Sequence, residues 1–562
     1  MPLLSDAVFA IARTFRTGIL TVKFLARFAL AFSGRRGERP TILRKYLESC
    51  GAGFVKVGQI LAMRYDLLPM QYCQELAQLL NQVPPMEFSR FDRSLADGFG
   101  QPLSSVFASI EHDCMGSASI AQVHGATLLS GAQVAVKVMR PHIKRQFRID
   151  LNNMRRLARL VDSSGLFGPS KIVLLAEELN RIVLGELNFV REARVMYLIH
   201  QNMEKDDVAH RSPAVYLDLC TSTVIVMERL DGIPMTELLR AIQQHDDAAL
   251  ATYSSKGIDR SRLARTLVES MFEQAFVHRL MHADPHAGNL IVLEGGILGF
   301  VDFGIVAHLD DQLFTRQRAL FQAMARESVH EAYEAILDTF SPLPEIDLSR
   351  MESEIKDLVW MWIVAVRTHS GSIADLSTGR LILEVANVAR GHGLHLPWRF
   401  LVFHRSTLMS DTILLSLDPD VDSVKILRDG FERETLRRQL KAVSPLGIVK
   451  AVNAAAAITA ELPPLALEAM EWFRLGWPGL RREYSEKFSR LEMGILRGLR
   501  DVRLLCYTLA GIIAVGRLLA SRWTVPLSLD QHIFLDWWWA GFVGSILCGA
   551  LVSRAAVAMR KS

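Results

Sequence analysis

HADPHAGN (282–289), LIVLEGGILGF (290–300) and VDFG (301–304) form the stretch on which the reading of this 562-residue chain turns. Asp284 and Asn289 stand five residues apart, and Asp302 follows Asn289 by thirteen, which leaves room for one short hairpin. NLIVL and GILGFVDF are the β-type runs of that hairpin, turning at Glu294-Gly295-Gly296. Asn289 and Asp302 are hard oxygen donors on adjacent loops, suited to converge on a Mg²⁺ that bridges phosphate groups, while Asp284 stands where a hydroxyl or a water would be oriented. Gly304 is expected to let the backbone turn after the metal ligand. His282 and His286, at i and i+4 with Pro285 between them, read as structural supports of the loop and not as metal ligands.

The order H-x-D-x-x-x-x-N and then D-F-G is that of a protein-kinase catalytic loop. Upstream, Val134-Ala135-Val136-Lys137 matches the strand whose lysine contacts the α- and β-phosphates and pairs with a helix glutamate. V-A-V-K alone says little, since any amphipathic strand can end in lysine; its place ahead of the other two motifs gives it weight. It lies in a second hairpin, VHGATL (123–128) and QVAVKVM (133–139) around Ser130-Gly131. A helical stretch runs from Ile143 to Glu204 with a break at Gly165 to Pro169, STVIVMERL (222–230) reads as a buried strand, 259–281 as a helix, and about 312–500 as overwhelmingly helical. Two protein-kinase elements are missing. No G-x-G-x-x-G precedes Lys137, where CMGSASIAQVH (114–124) is the corresponding turn, and no A-P-E follows Gly304.

Composition places this module. With 64 Lys+Arg against 60 Asp+Glu the formal charge is +4, too small for a strongly basic nucleic-acid binder, so no nucleic-acid partner is expected. The six cysteines form no C-x-x-C pair, which argues against structural zinc and a disulfide framework and for a reducing compartment. Half the residues are hydrophobic and 22% charged, and much of the apolar excess lies in Leu504–Ala520 and Ile533–Val552, each about the length of a bilayer-crossing helix. Trp523 and Trp537 to Trp539 stand where an aromatic belt at headgroup depth is expected. Arg497, Arg500 and Arg503 precede the pair, Arg554, Arg560 and Lys561 follow it, and 521–532 holds only Arg522, so both flanks are expected on the cytoplasmic side. Residues 7–32 interleave apolar positions with Arg13, Arg16, Lys23 and Arg27, leaving open a membrane-surface helix, a transit peptide or an ordinary helix on the body.

With these motifs set out, the chain resembles the UbiB (AarF/UbiB) family of atypical kinases. The family's K-x-G-Q stands as Lys56-Val57-Gly58-Gln59 in KVGQILAMRYDLLP, its alanine-rich loop as Gly116-Ser117-Ala118-Ser119 before IAQVH, and its E-x-D and R-E-A pattern as GELNFVREA, with Glu186, Asn188 and Glu192. The resemblance implies ATP and Mg²⁺ as cofactors, with Gly116 to Ser119 and Lys137 at the nucleotide and Asn289 and Asp302 at the metal. It implies Asp284 as catalytic residue, Lys137 paired with Glu192, and Lys56 folded over the site onto Glu186, where a protein substrate would otherwise bind. Three positions depart from the pattern: Asn188 replaces an acid, Ala287 a proline, and Met115-Gly116 interrupts the alanine-rich loop.

The expected architecture is α+β, a bilobal protein-kinase-like fold. Its parts are a basic amphipathic segment (1–39), a helical extension with K-x-G-Q (40–101), an N-lobe (102–230), a mostly helical C-lobe (231–440), a helical linker (441–503) and a transmembrane hairpin (504–552). The implied function is a membrane-anchored kinase or ATPase that supports ubiquinone biosynthesis, with its catalytic body on the cytoplasmic face of a bacterial inner membrane. Implied partners are membrane lipids, a lipid-like quinone precursor and quinone-biosynthesis enzymes. The alternatives are a nucleotide-responsive scaffold or lipid-precursor chaperone, and a protein kinase acting in trans, which the missing A-P-E and Lys56 disfavour.

Overall fold

In QVAVKVM every residue after Gln133 is buried, as in a central strand covered on both faces. Because side chains alternate along a strand, Val134, Val136 and Val138 join Phe91, Leu95, Val224 and Val226 on one side, and Lys137 is turned to the other. In the computed structural model this strand is part of a four-stranded sheet. The structure describes residues 2–33, 38–62, 64, 68–80, 84–163, 171–340, 347–368, 372–394 and 396–443. The chain divides into two compact units, Met1–Gly430 and Phe431–Ser562, and the candidate site lies in the first.

Among the described residues five α-helices precede the sheet: α1 (Pro2–Ser33), α2 (Arg39–Cys50), α3 (Ala52–Leu61), α4 (Met70–Ala77) and α5 (Phe88–Phe99). The strands β1 (Phe107–Ser117), β2 (Ala121–Leu128) and β3 (Gln133–Met139) follow, then α6 (Ile143–Ser163), α7 (Lys171–Glu186), α8 (Phe189–Met203), β4 (His210–Arg211) and β5 (Val224–Glu228). The first sheet is antiparallel, ordered β1-β2-β3-β5. Beyond it come β6 (Ile233–Pro234), α9 (Met235–Gln243), α10 (Asp247–Ser255), α11 (Arg260–Phe272), β7 (Leu280–His282), β8 (Leu290–Val292), β9 (Leu298–Phe300) and β10 (Val306–His308). These short strands form a sheet ordered β4-β9-β8-β6 and a β10-β7 ribbon. Helices α12 (Asp311–Ala325), α13 (Val329–Thr339), α14 (Leu348–Thr368), α15 (Ile373–Leu376), α16 (Thr378–Gly391), α17 (Trp398–Leu417) and α18 (Ser423–Val443) complete the described chain.

The α+β kinase-like architecture thus has its strands where the two hairpins were expected, with Gly131, Gly295 and Gly296 supplying positive φ at their turns. Three details differ. The strand β1 has no counterpart in the sequence reading, because only Phe107 of its residues is buried and no alternation marks it. The helix expected over 259–281 ends earlier: α11 stops at Phe272, a π-helical turn covers Glu273–Val277, and Arg279 at φ 58° breaks the chain into β7. At the expected metal-ligand position it is Asp302 itself, at φ 60°, that makes the left-handed turn, and Gly304 does not.

Helix α1 has two unlike faces. On the inner one Arg13 donates to both oxygens of Asp150 at 2.6 and 2.7 Å, Thr17 is buried, and Phe24 stacks on Tyr46. The outer one exposes Val8, Ile11, Phe15, Val22 and Leu25 at helical spacing. No helix among the described residues is long and apolar enough to cross a membrane. The two runs read as a transmembrane hairpin, 504–552, and nearly all of the 441–503 linker lie outside the described residues.

Candidate active site

Lys137 extends from β3 to an acid on each side: its Nζ lies 2.6 Å from Glu192 Oε1 and 2.8 Å from Asp302 Oδ1. Glu192 reaches this point because Asn188 caps α8, its side chain accepting from Arg191 N–H at 3.0 Å, which puts Glu192 in the first turn, where the helix dipole favours an anion. Phe189, Ala193 and Met196 seat that face of the helix in the core. The acid-to-amide change at 188 is compatible with this role, since either residue caps well. Burial disfavours the Lys137 ammonium, but Asp302 and Glu192 outweigh it and hold its pKa above the ordinary value. Asp302 is held well below the carboxylate range: burial opposes its charge, and Lys137 with the Gly304 N–H more than offsets that. Glu192 stays above its usual range because burial exceeds the help from Lys137.

The 282–289 loop is fixed by its histidines. His282 is fully buried; its Nδ1 accepts from Asp284 N–H at 3.1 Å, so its Nε2 carries the proton and donates to Val301 O at 3.1 Å. Asn289 Nδ2 donates to Asp284 O at 3.0 Å, leaving its amide oxygen for other partners, and His286 Nδ1 accepts from Gly288 N–H. Asp302 Oδ1 also accepts from Gly304 N–H at 3.2 Å, and a Cβ at 304 would stand 3.3 Å from that oxygen, a tight contact.

Two residues at this site carry no local signal in the sequence. Arg405 of α17 places its guanidinium 2.8 Å from Asp284 Oδ1, both side chains being largely buried, and Ser406 Oγ donates to His282 O at 2.8 Å. They lie more than a hundred residues beyond the loop they hold. An arginine just beyond the apolar run Phe400 to Phe403 needs an anionic partner, but nothing near it in the sequence says which.

The extension contributes Lys56. Helix α3 lies close against its neighbours at Gly53 and Gly58, where a Cβ would come within 2.6 Å of Asp150 and 2.4 Å of Leu79. Gln59 anchors it by donating to Leu79 O at 2.8 Å, and Lys56 is ion-paired with Glu186 at the end of α7. Burial raises the pKa of Glu186, Lys56 lowers it, and the charges of Asp284 and Asp302 raise it further, which marks all three acids as neighbours in one field. Gly116 and Ser117 end β1, and Ala118 and Ser119 lie in the turn to β2. Arg140 donates to Ser117 Oγ, to Ala118 O and to Pro84 O, and the space beside Gly116 is open. Their bonds run to Arg140, Ala121 and Cys114, not to the acids around Lys137.

The donor set suits Mg²⁺ and a nucleoside triphosphate. Asn289 and Asp302 offer only oxygen, the choice of a hard cation. Glu192 Oε2 and Glu186 Oε1 are buried without a hydrogen-bond partner among the described residues, as acids facing an absent cation or donor would be.

Comparison with known proteins follows the same line. The family model described as ABC1 atypical kinase-like domain matches residues 78–336, a span that holds Lys137, Glu186, Glu192, Asp284, Asn289 and Asp302 but not Lys56. A Tolumonas auensis protein named "Probable protein kinase UbiB" is 30% identical over 435 residues, 76% of this chain and 75% of its own. A Marinobacter nauticus protein of the same name is 28% identical over 537 residues, 92% of this chain and 91% of its own. A Clostridium pasteurianum protein named for the hydrogenase 1 5′ region is 28% identical over 414 residues, 72% and 74% of the two chains. Joined to the Lys137–Glu192–Asp302 geometry, these matches establish that the chain belongs to the UbiB family of atypical kinase-like proteins.

Proposed function

We propose that this protein is a Mg²⁺-dependent ATP-using enzyme, a kinase or ATPase of UbiB type, that works at a membrane in support of isoprenoid-quinone (ubiquinone) synthesis. The observation that carries the reading is Lys137 bridging Glu192 and Asp302 beside Asn289 and Asp284. Lys137 and the oxygens of Asn289 and Asp302 would hold Mg²⁺-ATP, and the bound ion would supply charge neutralisation on the transferring phosphoryl group. Asp284, oriented by Arg405, accepts the proton of an attacking hydroxyl or water. Lys56 and Glu186 occupy the substrate side, which favours a small or lipid-like acceptor, or water, over a protein acting in trans.

The membrane part of the proposal rests on the outer face of α1 and on the two apolar runs within 504–552. ATP turnover by the detergent-solubilised chain tests the enzyme part: Asp302→Ala abolishes it, whereas equal turnover by variant and wild type would remove the metal assignment. Asp284→Asn lowers turnover by about 10²–10⁴-fold, the usual range for a positioned acid or base. The second reading, a nucleotide-responsive scaffold, draws on the same Lys56–Glu186 closure. It requires that Asp284→Asn fully restore quinone levels in cells lacking the protein.

A further inference from the structure

Outside the nucleotide site, the turn between α11 and β7 gathers a second set of ionisable side chains. Ligand atoms of Asp206, Glu273 and His278 all lie within 4.8 Å of one another. His278 Nε2 stands 2.8 and 3.0 Å from the two oxygens of Asp206, and His210 Nε2 stands 3.1 Å from Asp206 Oδ2. Asp206 and His210 are i and i+4, with His210 the first residue of β4. Glu273 and His278 are brought to one side by the π-helical turn, whose bond from His278 N–H to Glu273 O closes at 2.9 Å; such turns recur at functional sites.

From this geometry we infer that Asp206, His210, Glu273 and His278 form a binding site for a divalent transition-metal ion, Zn²⁺ foremost, distinct from the Mg²⁺ position. Two imidazoles with two carboxylates suit Zn²⁺ and are poor ligands for Mg²⁺ or Ca²⁺. Donors about 2.0–2.1 Å from a tetrahedral ion stand about 3.3 Å apart; His278 and His210 reach Asp206 oxygens at 2.8 and 3.1 Å, and Asp206, Glu273 and His278 offer ligand atoms within 4.8 Å of one another, with His210 joining them from the Asp206 side. His210 supplies the independent sign. Its side chain is 0% exposed, its Nδ1 lies 2.7 Å from Ser270 Oγ, and its Nε2 faces the carboxylate without making a hydrogen bond. That is a metal-binding imidazole with its outer partner in place. Loading the ion displaces whatever proton His210 Nε2 or His278 Nε2 carries and leaves His210 Nδ1–H to donate to Ser270 Oγ.

The site also connects to the catalytic loop. Gln274 donates through Nε2 to Ser270 Oγ at 3.0 Å and accepts through Oε1 from His282 N–H at 2.9 Å, and His282 holds Asp284 N–H. Occupancy would therefore stiffen the loop that carries Asp284.

Chelator-stripped full-length protein in detergent, titrated with Zn²⁺ against a chromophoric chelator, tests the inference. We expect one tight equivalent that survives Asp302→Ala, and that His278→Gln and Asp206→Asn each weaken by at least about a hundred-fold. Ser270→Ala, which leaves all four ligands in place, weakens it by about 10–100-fold. Co²⁺ in place of Zn²⁺ should show visible tetrahedral bands in wild type and Asp302→Ala but not in His278→Gln. His278 is 15% exposed and glutamine keeps a donor toward Asp206, so this variant folds and remains informative. No tight equivalent in wild type, or one that persists unchanged in His278→Gln, overturns the site.

Discussion

Lys137 shows how one buried cation organises a site. Its side chain is 5% exposed and that of Glu192 4%, so each charge depends on the other, while Asp302 at 42% keeps one side toward solvent. Removing one partner of such a pair costs about 3–5 kcal/mol because the other stays buried and uncompensated, whereas replacing both with apolar groups is often neutral. Lys137→Met should accordingly lower both ATP turnover and thermal stability. Adding Glu192→Leu should recover most of the stability and none of the turnover, which chemical denaturation and an ATPase assay on the same samples will separate. If the double variant is as unstable as the single one, the pair is not the unit that balances this charge. That Lys137, Asp284, Asn289 and Asp302 gather at one candidate site was legible in the sequence, because the motifs that carry them come with fixed spacing. Arg405 was not: its partner Asp284 is set by how α17 crosses the catalytic loop, and no local pattern encodes that.

At the scale of elements, two contacts make the site's supports testable. Helix α3 carries Lys56 only because Gly58 lets it close on Leu47 and Leu79, where a Cβ would lie 2.8 and 2.4 Å from their methyl groups. Gly58→Ala overpacks this contact and should cost about 1–3 kcal/mol, visible as a lower Tm, despite alanine's better helix propensity. The α16–α17 contact holds two ionisable groups of opposite behaviour, Asp411 half-buried and His404 buried. Burial pushes the Asp411 carboxyl up to about 6, although it accepts from Gly379 N–H and Ser377 Oγ; burial also pushes His404, packed against Phe400 and Phe403, down to about 3.

A raised acid pKa means the folded state holds a proton that the unfolded state has released, so the Asp411 contribution falls as pH rises from about 4 to about 6. A lowered histidine pKa means the unfolded state takes up the proton first, so the His404 contribution is lost as pH falls from about 6.5 toward 3. The two oppose each other between about pH 4 and 6. Melting curves of Asp411→Asn should therefore show Tm dropping more steeply than wild type as pH is lowered through that window, and His404→Leu should show Tm rising instead. Parallel profiles for all three proteins would contradict these assignments.

For the molecule as a whole, the membrane question turns on α1. A helix whose arginine pairs inward with Asp150 while Val8, Ile11, Phe15, Val22 and Leu25 face outward presents an apolar stripe that a water-facing surface does not require. Phe15→Asp, at a position 71% exposed, should leave the fold and ATP turnover in detergent unchanged and reduce co-sedimentation of the 1–443 fragment with liposomes severalfold. Equal sedimentation of the two fragments would assign that stripe another role. The sequence reading left three possibilities open for this segment, because composition alone does not say which way each arginine points. Only the packing of α1 on α2 and α6, through Arg13, Thr17 and Phe24, separates its two faces.

The sequence by itself determined the α+β kinase-like class, both hairpins and the polar residues of the catalytic loop, because alternation, turn glycines and motif spacing are local properties of the chain. Tertiary structure decided what joins them: that Asp302 makes the turn assigned to Gly304, that Arg405 and Ser406 return to brace the loop, that Lys56 meets Glu186, and that His210 and His278 converge on Asp206. Each of these depends on segments distant in sequence, or on a strained local backbone, being brought together by burial of the surrounding core. No single segment carries that information.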